Sequence, residues 1–143
     1  MGEFDVIGFT LQYEMSFSNI LAMLKMGGIP LEGKDRGEED PIVVAGGPCA
    51  FNPEPLADFI DAFMIGDGED VMTELNRVIL ERKEKGLSRE QCLKNLAKLE
   101  GVYVPSLYDV AYNEDGTVAS VTPNCPEAPP SVKKRVVVDL NST

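Results

Sequence analysis

Short loops follow three apolar runs of the sequence, and they contain the residue types best suited to bind a ligand. These loops cover residues 10–18, 46–52 and 66–70. Two of them contain paired glycines, whose backbone can approach a phosphate, a ribose or an amide closely because glycine has no Cβ atom. In open α/β sheets such loops gather beyond the carboxyl ends of the strands, where helix N-termini also converge. The pattern favours ligand binding through backbone amides, although glycine after a strand is also an ordinary turn residue.

The residue types that are missing exclude most side-chain catalysis. The chain has no histidine, which excludes Ser-His-Asp and Cys-His catalysis and histidine-ligated zinc within this polypeptide. Cys49, Cys92 and Cys125 are too scattered for a thiolate metal site or a redox pair, and no histidine or nearby lysine would activate Cys49. We therefore expect no catalytic residue and no metal ligand in this segment.

The charge balance limits the partners that this segment can have. Thirteen Lys and Arg residues against 24 Asp and Glu residues give a net charge of −11. Such a field repels nucleic acid and anionic lipid, so we expect neither as a partner. We find no apolar stretch long enough to span a membrane and no secretory leader. Three scattered cysteines suit reduced thiols, and we expect a cytoplasmic protein.

The order of apolar runs predicts alternating strands and helices. Buried-type strands are expected at residues 4–11, 42–45 and 62–65, and helices at 16–26, 53–59, 69–85 and 89–99. Ser88 with Gln91 three residues later forms a capping-box pattern at the start of the last helix. Short links between strands and helices favour βαβ units and a parallel sheet covered on both faces. Three strands are few for a whole doubly wound domain, so we expect further strands before this segment.

The character of the chain changes after Gly101. Residues 102–105, 107–112 and 117–122 are β-prone, and the last two runs flank a turn signal at 113–116, which predicts a hairpin. The run 123–130 is rich in proline and predicts an extended linker, followed by a strand-like run at 136–138. The expected organisation is an α/β domain at 1–101, and a hairpin with a linker at 102–143.

Three motifs in fixed order give the loops a family resemblance. They are Gly8-Phe9-Thr10, Gly46-Gly47-Pro48, and Asp61 followed by Gly66-Asp67-Gly68-Glu69. This order resembles the distal half of the cobalamin-binding domain that precedes the catalytic barrel in one class of radical S-adenosylmethionine (SAM) enzymes. The tail, GVYVPSLYDV and PEAPPSVKKRVVVDL, resembles an uncharacterised bacterial branch of that class, in which a proline-containing linker leads into the barrel.

The resemblance implies a flavodoxin-like fold whose loops line the cavity for the nucleotide tail of cobalamin. Matched position by position, it implies a cofactor-binding set that consists of Thr10, Gly46, Gly47, Gly66, Gly68 and Glu69. The 4Fe–4S cluster of the family needs a Cys-x3-Cys-x2-Cys motif, which this sequence lacks. The cluster and SAM are thus expected in a barrel outside this segment, which would position a cofactor without being catalytic alone.

Two other functions remain open at this stage. A non-catalytic flavodoxin-like interaction or regulatory module would use an apolar cavity or an exposed sheet edge to bind a partner. If earlier strands are missing, the strand at 4–11 exposes an unpaired edge, which a homodimer or the chain's own tail would cover. A nucleotide- or flavin-binding enzyme is a third reading, but the chain has no GxGxxG or GxxxxGK[ST] loop.

Overall fold

Three parallel strands form the centre of the fold. The computed structural model describes residues 1–138, so residues 139–143 of the predicted linker lie outside the described part. The strands of the central sheet are β1 (Val6–Thr10), β2 (Ile42–Gly46), β3 (Ala62–Met64) and β4 (Val102–Tyr103). They lie in the order β1-β2-β3-β4, with β1 parallel to β2 and β2 parallel to β3. The predicted mixed α/β architecture with a parallel sheet is confirmed, and β4 adds an antiparallel strand beside β3.

Three helices cover the two faces of this sheet. They are α1 (Phe17–Met26), α2 (Glu69–Lys85) and α3 (Arg89–Leu96). The central strand β2 is buried on both sides, so Ile42 and Val44 pack with α2 and α3, while Val43 and Ala45 pack with α1. None of the helices within residues 1–138 has the length and apolarity that crossing a membrane requires.

The ends of α2 and α3 follow local sequence signals. Ser88 Oγ accepts a hydrogen bond from the Gln91 N–H at 3.2 Å, and the Ser88 N–H donates to Gln91 Oε1 at 3.0 Å. The predicted capping box is therefore confirmed. Helix α2 ends at Gly86, whose φ of 62° places it in the left-handed region that glycine adopts without strain.

The C-terminal part contains the predicted hairpin, formed by β5 (Tyr108–Tyr112) and β6 (Val118–Pro123). Two local predictions were wrong. The helix expected at 53–59 is only a 3-10 turn at Glu54–Leu56. The strand-like run at 136–138 is not a strand, and up to residue 138 the tail makes one isolated parallel bridge, between Arg135 and Gly66.

A buried charge cluster holds the amino ends of the strands together. Asp61 lies just before β3, and Arg36 and Arg89 converge on it, each of the three being 6% exposed. Asp61 Oδ2 accepts the Val43 N–H at 2.7 Å and Arg89 Nη2 at 2.6 Å, and it lies 3.0 Å from Arg36 Nη1. One carboxylate oxygen thus joins β2, the loop before it and α3.

Backbone carbonyls complete the cluster. Arg36 donates to the carbonyl oxygens of Leu31 at 2.8 Å and Phe59 at 2.6 Å, and Arg89 donates to that of Asp40 at 2.8 Å. Burial lowers the pKa of Arg36, and the neighbouring Asp61 opposes that shift. Because two cations share one carboxylate, removal of its charge would leave both guanidinium groups buried without a counter-charge.

We expect Asp61→Asn to lower the free energy of unfolding by about 3–5 kcal/mol, since breaking a buried ion pair leaves an uncompensated charge. Urea denaturation at neutral pH measures the change. Asp5→Asn is the matched control, because Asp5 pairs with Lys83 at the surface, where both side chains are more than half exposed. Equal stability of the two variants would contradict a structural role for the cluster.

Candidate functional site

The carboxyl ends of β1 and β2 bring three of the predicted site residues together. In the parallel register Thr10 lies opposite Gly46, and Gly46 lies opposite Met64 of β3. Thr10 is exposed, while Gly46 and the adjoining Gly47 are half-buried. The structure therefore places a hydroxyl beside glycine backbone at one edge of the sheet, as the sequence predicts for parallel strands.

The turn at Gly47 also has a purely structural reason to be glycine. Its φ is 103°, and an added Cβ would lie 3.0 Å from the carbonyl oxygen of Leu11. The Leu11 N–H donates to the Gly46 carbonyl at 2.7 Å, and the Cys49 N–H donates to the Leu11 carbonyl at 3.0 Å. Two backbone hydrogen bonds thus join the loops after β1 and β2, and they leave the Thr10 side chain exposed.

The C-terminal tail of the chain, around residues 132–137, crosses the loop that contains Gly66 and Gly68. The Arg135 N–H donates to the Ile65 carbonyl at 2.8 Å, and the Asp67 N–H donates to the Arg135 carbonyl at 3.1 Å. Gly66 has a φ of 107°, and a Cβ there would lie 2.1 Å from the Arg135 carbonyl oxygen. The close backbone approach at Gly66 therefore serves the chain's own tail.

The side chain of Arg135 binds the acidic start of α2. Its Nη1 and Nη2 donate to the two carboxylate oxygens of Glu74 at 3.1 and 2.8 Å, and Asp70 lies 3.8 Å away. The Val137 N–H donates to Asp67 Oδ2 at 2.8 Å. The hydrogen bonds to Glu74 raise the pKa of Arg135. Both the backbone and the side chain hold the tail in place.

The remaining two predicted residues lie at the start of α2. Gly68 precedes the helix, and no heavy atom outside its chain neighbours lies within 4 Å of an added Cβ. Glu69 is exposed in the first turn, where a carboxylate interacts favourably with the helix dipole. The six predicted residues thus share one edge of the sheet but form two groups, and the tail lies at the Gly66 loop.

Two cavities lie away from these six residues. The larger, of about 940 Å³, lies between the hairpin and the amino ends of the strands, where Arg36, Asp61 and Arg89 line it. The smaller, of about 340 Å³, has aromatic walls from Phe51, Tyr103 and Tyr108. Sequence reasoning missed both, because their walls come from distant segments of the chain.

The two tyrosines of the smaller cavity have fixed hydroxyl groups. Tyr103 Oη donates to Glu54 Oε1 at 3.0 Å, and Tyr108 Oη donates to the Pro129 carbonyl at 2.7 Å. Burial, followed by the Glu54 carboxylate, raises the pKa of Tyr103, so its hydroxyl stays protonated and acts as a donor. The Tyr108 bond attaches the linker to the hairpin, the Tyr103 bond attaches β4 to the 3-10 turn at Glu54–Leu56, and neither bond activates a nucleophile.

The three cysteines are free thiols in the structure. Desolvation and the neighbouring Glu14 raise the pKa of Cys49, and burial raises that of Cys92. Both shifts favour the protonated thiol over the reactive thiolate. Within residues 1–138 no group of three or more His, Cys, Asp or Glu side chains is arranged to hold a metal ion.

The carboxyl edge of the sheet lies within a region of this chain that matches a known protein family. A family model described as "Radical SAM proteins, N-terminal" matches residues 1–105. The uncharacterized protein MJ0966 of Methanocaldococcus jannaschii is 39% identical over 77 residues, which cover 50% of this chain and 15% of that protein. This chain therefore matches only a small part of its relative's length, and no solved structure matches it. Because the family match includes every strand of the central sheet and all six residues of the carboxyl edge, this chain belongs to the family of radical SAM protein N-terminal regions.

Proposed function

We propose that this chain is an accessory region of a radical SAM enzyme that positions a cobalamin-type cofactor at the carboxyl edge of its sheet. The observation that carries the proposal is the register of Thr10 against Gly46, because an exposed threonine lies there beside half-buried glycine backbone. The nucleotide tail of a corrinoid needs both kinds of group. The family match supplies the radical SAM context.

The fit differs between the two groups of residues. Thr10, Gly46 and Gly47 would hold the nucleotide tail of the corrinoid through a hydroxyl and backbone amides, and the exposed Thr10 is accessible from solvent. Gly68 offers further open space at the start of α2. Gly66 would take part only after the C-terminal residues around Arg135 move away from it. A bound corrinoid supplies the organometallic reactivity, whereas the chain supplies binding and orientation.

The radical chemistry itself belongs to another part of the enzyme in this proposal. A 4Fe–4S cluster that binds SAM needs three closely spaced thiolates, and the three cysteines here are far apart in sequence. The barrel that carries the cluster would be the main partner of this region. The parent enzyme would act in the cytoplasm, where the free cysteines stay reduced.

We expect Thr10→Val to weaken binding of hydroxocobalamin to the 143-residue chain roughly fivefold, because one hydrogen bond is lost while the β-branched shape is kept. The change in corrinoid absorption on titration measures the affinity. Thr122→Val is the matched control, since Thr122 lies on the exposed hairpin strand β6.

A second variant tests the open space at the start of α2. Gly68→Val adds bulk where no atom lies within 4 Å, so it should obstruct a ligand without disturbing the fold beyond a weaker helix cap.

Absence of any absorption change with the unmodified chain would overturn the cobalamin proposal, as would equal affinity of Thr10→Val and Thr122→Val.

A second candidate function is self-association. Strand β1 has no partner on its outer edge within residues 1–138, and the described part of the tail pairs at Gly66 instead. Next to β1 in sequence, Phe4 is 67% exposed, and Met15 and Met26 near α1 are 82% and 88% exposed. An unpaired edge and exposed apolar side chains favour a second copy of the chain as occupant.

We expect sedimentation equilibrium to show a dimer whose dissociation constant rises by at least about tenfold in Met15→Glu/Met26→Glu, because charge replaces apolar contact area. Met72→Glu is the control, since Met72 is an exposed methionine on α2. A monomer at all concentrations would exclude self-association and leave the cofactor proposal unaffected.

A further inference from the structure

The proline-rich linker is attached along its length. The Asn124 N–H donates to the Leu107 carbonyl at 2.9 Å, and Tyr108 Oη donates to the Pro129 carbonyl. Ala128 is 5% exposed and packs into the core beneath α2 and α3. These contacts guide the chain from the hairpin toward the carboxyl edge of the sheet. There Arg135 and Val137 contact the Gly66 loop and the start of α2.

We infer that Arg135 is a latch that holds residues 132–137 across the Gly66 loop and competes with any ligand that approaches this loop. The latch combines two backbone hydrogen bonds with a two-pronged guanidinium–carboxylate contact to Glu74. A planar guanidinium bound to both oxygens of a carboxylate is the strongest common side-chain pair. The Arg135 side chain is only 16% exposed, so water screens this pair less than an ordinary surface pair.

The charges around Arg135 explain why a cation lies at this position. The start of a helix carries partial positive charge, which disfavours a nearby arginine. Asp70 and Glu74 outweigh that effect, because both carboxylates face the guanidinium group. The acidic residues therefore favour a basic side chain at this position.

Glycine at two separate positions makes room for the latch. A Cβ at Gly66 would meet the Arg135 carbonyl at 2.1 Å, and a Cβ at Gly101 would lie 2.9 Å from Arg135 Cβ. Gly66, which precedes α2, and Gly101, which follows α3, thus leave space for the same residue, Arg135. This arrangement indicates a built contact for the tail at the edge of the sheet.

The latch would also regulate the proposed cofactor site, and this part of the inference rests on the proposed function. A ligand that needs the Gly66 loop binds only the unlatched fraction of molecules, so its apparent affinity falls in proportion to that fraction. Loss of the latch should therefore strengthen corrinoid binding. The contacts of Thr10 and Gly46 would be unchanged.

Amide hydrogen exchange of the 143-residue chain tests the latch directly. We expect the amide hydrogens of Asp67, Arg135 and Val137 to exchange roughly tenfold faster in Glu74→Gln, because the charge-assisted contact is lost while the side-chain shape is kept. Glu81→Gln is the matched control, since Glu81 pairs with Lys85 near the other end of α2. In Arg135→Lys, which keeps the charge but loses the paired geometry, an intermediate increase is expected for Asp67 and Val137.

Titration with hydroxocobalamin in the same variants separates the two proposals. Faster exchange with tighter corrinoid binding in Glu74→Gln supports both the latch and its competition with the ligand. Faster exchange with unchanged binding overturns the competition. Faster exchange with no corrinoid binding in any variant overturns the proposed cofactor and leaves the latch supported. Unchanged exchange in Glu74→Gln overturns the latch, whatever the corrinoid result.

Discussion

The rest of the structure depends on the buried contacts that the Asp61 carboxylate makes. It lies in a core where a single carboxylate faces two guanidinium groups, and it also accepts the backbone N–H of Val43. Desolvation of three charges is costly unless each finds partners, and the carbonyls around Arg36 and Arg89 supply them. These contacts hold the starts of β2 and β3 together.

The two edges of the sheet therefore have different tasks. The amino edge is held by buried charge and connects the loop at 30–36 to α3. The carboxyl edge has the Arg135–Glu74 pair at its Gly66 loop, and the loops after β1 and β2 are joined there through backbone hydrogen bonds such as that between Leu11 and Gly46. Backbone contacts with little side-chain bulk leave a surface that another backbone or a cofactor can approach closely, and in this structure the tail approaches it at Gly66.

Predictions from the sequence succeeded where the signal is local. The apolar runs of β1, β2 and β3, the Ser88–Gln91 cap and the hairpin turn are each encoded within a few neighbouring residues. The Asp61 cluster was missed because its members come from three segments, and Arg89 lies 28 positions after Asp61 in the sequence. No periodicity links such distant residues, so only the fold brings them together.

The glycine loops show a different limit of sequence reasoning. Glycine at position 66 correctly indicated a close backbone approach, but the identity of the approaching group depends on Arg135, far along the chain. The apolar run at 136–138 suggested a strand, yet β3 already has β2 and β4 on its two sides. No place beside β3 remains for a full additional strand, which explains the single bridge.

The direction of that bridge determines how the molecule would respond to mechanical force. Arg135 runs parallel to Gly66, at the end of an interior strand. A pull on the tail along the strand axis would load its two backbone hydrogen bonds and the Glu74 contact together, in shear, instead of peeling them apart one by one. Tension applied at the tail would then pass into the middle of the sheet, between β2 and β4, and the exposed hairpin would carry little of it.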